Sequence, residues 1–413
     1  MESYKYLIVG GGIAGVTAAE TIRQTDKDGS LAIISDETYP LYSRVMLSKP
    51  PFFLGKIPFE SIYMKGPEWY AENHIAYLAG KTATALLPAE KILTLSDGSK
   101  IKYEKLLLAL GVAARTWAVP GAEKKGVHYL RTLDQGRGVI ESIKTAKRAI
   151  IIGGGFIGFE MADLLRLAGL EATMLIREKY FWEPLLDEKS GQMVEAALLR
   201  TGVAIMRETE VAEVLGTDVV SGVRLKNGEV LPCDMIMCGI GVFSPLDWLK
   251  DSGMKFGRGI IANEYLATNI PDIWTAGDVA EYRDILLEET LELGNWANAR
   301  EQGRVAGINM AGEPMKFKFV SFYTTQGMGV TITFVGDVHP GPDRTIIARG
   351  SPELNSYGRI IIVGKELVGA TLMNRTKEMS VISKLIDHNV DVSAHHAELG
   401  DPNFDLAKLL PAN

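Results

Sequence analysis

The tightest constraint on this chain is a glycine turn that occurs twice. Residues 6–15 read YLIVGGGIAG, an apolar strand running into Gly10, Gly12 and Gly15 at the G-x-G-x-x-G spacing, with the helix-like TAAETIRQ directly behind. Each glycine answers a separate steric demand: Gly10 a sharp turn, Gly12 close approach of the backbone to a pyrophosphate, Gly15 close packing of helix on strand. Phosphate oxygens would then meet unpaired amides at the helix N-terminus. A second strand, Leu31 to Ser35, ends at Asp36 and Glu37, about 20 residues past the turn, where a carboxylate can accept from an adenosine ribose. Either acid alone would serve equally well as a solvated turn residue.

At Arg148 the pattern returns as RAIIIGGGFIGFEMADLLRLAG, with Gly153, Gly155 and Gly158 at the same spacing and Glu160 expected in the first turn of the helix. Chance recurrence of strand, turn and helix is improbable, so the chain is read as carrying two dinucleotide sites and passing electrons between them. The copies differ at the ribose. The strand ATMLI ends at Ile176 where an NAD-preferring site would present an acid, and Arg177 and Lys179 follow. Added cations suit a 2′-phosphate and Glu178 between them opposes it, so the reading leans to NADPH.

With 413 residues, 46% of them hydrophobic, the chain can fill two or three full cores. Its formal charge of −7 and lack of a basic run argue against nucleic acid. No apolar stretch reaches the ~18 residues of a membrane span, and the fold begins near Tyr4 with no room for a signal peptide, so a cytoplasmic protein is expected. No metal site is expected. The two cysteines, Cys233 and Cys238, have the C-x-x-x-x-C spacing of redox-active disulfides. On a strand, though, positions five apart face opposite sides about 16 Å apart, beyond the ~7 Å a disulfide spans. Both are read as core thiols.

Along the rest of the chain, YPLYSRVMLSK reads as loop then helix and carries Arg44 and Lys49, which on spacing alone could be surface charge or could neutralise a pyrophosphate. Asp97-Gly98 signals a hairpin, and KLLLALG is a buried parallel-type strand ending at Gly111, with Arg115 beyond. In ATNIPDIWTAGDVAE a strand ends at Gly277 and Asp278, an acid able to bond a polyol hydroxyl or to cap a helix. Residues 295–312 read as a helix with Trp296 at its start, and from Phe317 strand alternation announces a separate α+β domain.

These motifs in this order resemble the two-dinucleotide FAD/NAD(P)H reductases, in the branch that includes putidaredoxin reductase, rubredoxin reductase and apoptosis-inducing factor. The resemblance rests on YSRVMLSK at 42–49, GFIGFE at 155–160, TNIPDIWTAGDVAE and the tail DPNFDLAKLLP. It implies FAD at the first turn: Gly10, Gly12, Ile13, Ala14 and Gly15 at the pyrophosphate, Asp36 and Glu37 at the ribose, Ala83 near adenine, Asp278 at the ribitol. Arg44, Ala109, Gly111, Arg115, Trp296, Tyr323 and Thr324 are further candidate FAD contacts, although Trp296 and Tyr323 would also suit core packing. It implies NAD(P)H at Gly153, Gly155, Phe156, Ile157, Gly158, Glu160, Arg177, Lys179 and Gly241. Lys49 and Glu160 are the implied catalytic pair beside flavin N5, Lys49 steadying reduced flavin and Glu160 orienting the carboxamide. Three departures stand out: Leu110 in the A-T-G stretch, the missing acid at Ile176, and Phe322, Tyr323, Thr324, Thr325 and Gln326 in place of the aromatic-Trp-Ser-Asp-Gln sequence.

The expectation is therefore an α/β protein of two Rossmann-like domains plus a C-terminal α+β interface domain. FAD would occupy 1–113 and 244–312, NAD(P)H 114–243, and the interface domain 313–413. Electrons would pass from NAD(P)H through FAD to a separate iron-sulfur protein, with a homodimer left open. An oxidase or quinone-type reductase and a redox-sensing interaction protein are the alternatives. The stretch from Asp36 to Leu54 has no cysteine, so electrons would leave directly from the flavin.

Overall fold

A computed structural model describes residues 1–411. The chain divides into two compact units, one of residues 1–43, 60–113 and 243–321, the other of residues 44–59, 114–242 and 322 onward.

The first unit is built on β1 (Glu2–Val9), α1 (Ile13–Thr25), β2 (Leu31–Ser35), β3 (Ile75–Ala79), β4 (Ala83–Leu87), β5 (Ile92–Leu95) and β6 (Lys100–Leu108). β3, β2, β1 and β6 run parallel in that order, and strand Ile273–Thr275 joins alongside β6. β5 and β4 extend the sheet antiparallel through the Asp97-Gly98 hairpin. Alternate β1 residues enter opposite cores: Tyr6 and Ile8 pack with α1, Leu7 and Val9 with the β4–β5 side. Burial of both faces explains the unbroken apolar run in the sequence. Helix Trp296–Ala311 is capped by the Asn295 side chain and closed by Gly312 in the left-handed region.

That helix crosses α1 at very close range. A Cβ on Gly303 would stand 2.2 Å from the Ala14 carbonyl oxygen, and one on Gly307 2.7 Å from that of Ala18. Only hydrogen fits between the backbones there. Gly303→Ala is therefore expected to cost about 1–3 kcal/mol through forced helix displacement, read as a lowered denaturation midpoint.

In the second unit, strands Val203–Met206, Glu171–Leu175, Arg148–Ile152, Met235–Cys238 and Val127–His128 form a parallel sheet in that order. A five-stranded antiparallel sheet begins at Phe322–Gly327 and packs that strand on helix Phe156–Leu167, where a Cβ on Gly327 would lie 3.3 Å from Phe159. Cys233 precedes its strand instead of lying within it, and both thiols enter the same apolar cluster. The opposite-face expectation thus fails because the strand starts at Met235. Both cysteines are nevertheless free and buried, and burial pushes each thiol up to about 12. Among the described residues no helix is long and apolar enough to cross a membrane, and no cluster of three metal-ligating side chains occurs.

Candidate nucleotide turns and carboxylate site

In the first unit the Gly10 amide donates to Ile34 O at 2.8 Å, and Gly10 takes φ +123°. A Cβ there would lie 2.1 Å from Ala109 O, and one on Gly15 would lie 2.0 Å from Gly10 O. Gly12, by contrast, has nothing within 4 Å of where its Cβ would be. It is the N-cap of α1 and offers no side chain to the first turn, so helix geometry leaves the opening amides around Ile13, Ala14 and Gly15 without intrahelical partners. An open approach over unpaired amides is what a pyrophosphate requires.

The same unit brings other sequence candidates to this end of α1. A Cβ on Gly277 would stand 3.2 Å from the Ala14 side chain, which seats Asp278 beside the turn, next to Gly294 and the start of the Trp296 helix. Asp36 accepts from the Glu37 amide at 3.0 Å, and Tyr42 donates to Glu37 at 2.7 Å. Ala83 and Ala109 are buried, and Gly111 takes φ +62°. Sequence reasoning missed Gln302. Its Oε1 accepts from the Gly277 amide at 2.7 Å, while its fully buried Nε2 has no partner. A buried donor without an acceptor is costly. Beside an open glycine cradle, it fits a bound dinucleotide such as FAD.

The second unit repeats the geometry. Gly153 takes φ +97°, its Cβ would lie 2.5 Å from Gly239 O, and a Cβ on Gly158 would lie 2.1 Å from Gly153 O. Gly155 has open space and caps Phe156–Leu167 without a side-chain bond, so Phe156, Ile157 and Gly158 open that helix. The Arg115 amide donates to Gly241 O at 3.0 Å. The Arg44 guanidinium donates to Arg131 O at 2.8 Å. Arg177 is exposed and ion-paired with Glu178 at 2.9 Å; Lys179 is also exposed, and Ile176 is buried.

Glu160, only 4% exposed, is the focus of this unit; because the helix starts at Phe156, it lies just past the first turn and not in it as expected. Lys49 Nζ reaches its Oε1 at 2.5 Å, Thr325 Oγ1 donates to the same oxygen at 2.7 Å, and Ser48 Oγ donates to Oε2. Tyr323 OH stands 3.5 Å away, and burial pushes that phenol well up. One turn along the helix, half-buried Asp163 accepts from the Met328 amide at 3.3 Å; burial raises its carboxyl, against the pull of Lys49. Phe156 meets Trp182 edge-on at 4.0 Å and Tyr323 at 4.1 Å between centroids. Thr324 Oγ1 lies 3.1 Å from Thr333 Oγ1, away from Glu160.

Two separate units, each presenting the same phosphate-ready turn, define a two-dinucleotide oxidoreductase. Residues 4–303 match the pyridine nucleotide-disulphide oxidoreductase family, and residues 322–410 match the reductase C-terminal family. The chain belongs to the pyridine nucleotide-disulphide oxidoreductases, which implies FAD and a nicotinamide coenzyme. It is 29% identical over 409 residues to the biphenyl dioxygenase system ferredoxin–NAD(+) reductase component of Paraburkholderia xenovorans, covering 98% of both chains. It is 30% identical over 397 residues to the nitrite reductase [NAD(P)H] of Bacillus subtilis, covering 95% of this chain but 48% of that protein, so it spans about half of that relative. A solved ferredoxin reductase from Rhodopseudomonas palustris superposes with a TM-score of 0.90 at 26% identity over 99% of each chain.

Glu160→Ala would strand the Ser48 and Thr325 hydroxyls and the Lys49 ammonium. The expected loss is about 1–3 kcal/mol, smaller for Glu160→Gln, by chemical denaturation of the two variants.

Proposed function

We propose that this protein takes electrons from NAD(P)H and passes them through FAD to a separate iron-sulfur carrier. FAD is assigned to the domain 1–113 with 244–312, NAD(P)H to 114–243, and partner contact to 313–413. The observation that carries the reading is the recurrence of one open glycine turn in two units, with a buried donor unsatisfied beside the first. Bound FAD supplies hydride acceptance and the release of electrons one at a time.

The chain's residues bind and orient. The amides behind Gly12 take the flavin pyrophosphate, Asp36 the ribose, Asp278 the ribitol, and Gln302 offers its spare donor near the turn. The amides behind Gly155 take the coenzyme pyrophosphate. Lys49 and Glu160 are assigned to the reacting ends of flavin and nicotinamide on the family resemblance, with Glu160 accepting from the carboxamide. Cys233 and Cys238, both buried, are assigned to the core and not to electron relay. Anaerobic stopped-flow tests this directly. Reduction by NAD(P)H followed by reoxidation far faster with a ferredoxin or rubredoxin than with quinone or oxygen supports the reading; a small-molecule acceptor outpacing every iron-sulfur protein overturns it.

For the coenzyme, the reading is a preference for NADPH, because no acid ends the strand at Ile176 and Arg177 reaches solvent. Glu178 opposes it, and the biphenyl relative is named for NAD(+). The kcat/KM ratio of NADPH to NADH should exceed one and fall about tenfold in Arg177→Gln; a wild-type ratio below one sinks the preference.

Because a Cβ at Gly12 or Gly155 meets nothing within 4 Å, Gly12→Val and Gly155→Val should both fold. Gly12→Val is expected to purify without flavin. Gly155→Val should keep flavin and raise the coenzyme KM at least tenfold, by roughly 1.4 kcal/mol of lost binding.

A further inference from the structure

Glu160 and the proposed nicotinamide site raise a question of orientation. A carboxylate has about four lone-pair positions, and its two oxygens exchange by rotation about a soft terminal torsion. Here the oxygens are unequally occupied. Oε1 receives Lys49 at 2.5 Å and Thr325 at 2.7 Å, with Tyr323 at 3.5 Å, while Oε2 receives the Ser48 hydroxyl alone. Oε2 therefore keeps the lone pair available to an incoming donor.

Thr325 is what distinguishes this from an ordinary ion pair. It is 1% exposed, on strand Phe322–Gly327, which packs against the helix bearing Glu160. Lys49 keeps about a third of its side chain in solvent, at 32%, and can reorient. Thr325 is β-branched, restricted at χ1 and locked in a packed strand, so its hydroxyl is the fixed donor of the set. Its neutrality matters too: Lys49 already matches the charge of Glu160, and a second anion here would compete for it.

We propose that Thr325 is a positioning residue that selects which Glu160 oxygen faces the nicotinamide carboxamide. It saturates Oε1 together with Lys49 and leaves Oε2 for the carboxamide N–H. The residue acts through Glu160 and touches no reacting atom. This inference rests on the proposed function above.

The test compares two probes on the purified holoprotein by titration calorimetry: the oxidised coenzyme, and the matching ADP-ribose (2′-phosphorylated if NADPH is preferred), which lacks the nicotinamide. Thr325→Val should weaken coenzyme binding roughly fivefold to tenfold, the net scale of one ordinary hydrogen bond, since the residue acts only through Glu160, and leave ADP-ribose binding within about twofold. Thr325→Ser should restore the coenzyme affinity, since it returns the hydroxyl. Equal weakening of both probes would show a merely structural role and overturn the proposal, as would a Thr325→Val protein that binds the coenzyme like wild type. If the wild-type protein binds neither probe, the proposed function itself fails. Normal wild-type binding with an unaffected valine variant removes only the role of Thr325.

Discussion

The interior of each unit depends on a contact that tolerates no side chain. A Cβ on Gly15 would lie 2.0 Å from the Gly10 carbonyl oxygen, and one on Gly158 would lie 2.1 Å from that of Gly153. Real Cβ contacts essentially never fall below 3.0 Å, so any other residue would lift the helix off its strand. Held down by this contact, the helix aims its N-terminal amides and the positive end of its dipole at the strand-end turn. In the first unit the second nucleotide-side helix repeats the logic, pressing Gly303 against Ala14 and so bringing Gln302 to the Gly277 amide. Close backbone approach thus sets where Gln302 meets the Gly277 amide.

Glu160 shows how the second unit supports a buried charge. Removing a carboxylate from water costs several kcal/mol unless it is paired and hydrogen-bonded. Three side-chain donors supply that here. Lys49 is delivered by local chain chemistry. It caps the short helix Pro50–Phe53 at φ −99° and ψ 132°, the extended conformation that a following proline enforces. Pro50 then begins that helix at the position where a missing amide is harmless.

What the sequence revealed and concealed follows from range. The turns at Gly10 and Gly153, the strand Leu31–Ser35 and the helix from Trp296 to Gly312 are local patterns of period two, of period 3.6 and of caps, and they were readable directly. Gln302, Asp163 and Trp182 matter through partners far away in sequence, and nothing local marks them. The strand after Phe322 is the instructive case. The sequence points to Tyr323 and Thr324, yet alternate strand residues share a face, so Thr325 joins Tyr323 toward Glu160 while Thr324 turns to Thr333. A motif match located the strand; only its pleat decided which threonine mattered. Cys233 shows the converse: its apolar surroundings in sequence look like strand, but the strand begins two residues later, at Met235.

The helix Phe156–Leu167 presents two carboxyls three residues apart, hence on one face, and the structure treats them differently. Glu160 collects the Lys49 ammonium and two hydroxyls, whereas Asp163 receives one backbone amide from the hairpin at Met328. Burial moves Asp163 toward its neutral form, with the Met328 amide and then Lys49 opposing only in part. The single cation is therefore answered chiefly by Glu160, and the site carries one ion pair instead of a shared, mobile charge. That arrangement depends on position 325 being neutral. A third carboxyl there would contend with Glu160 for the same ammonium, and the asymmetry between the two glutamate oxygens would be lost with it.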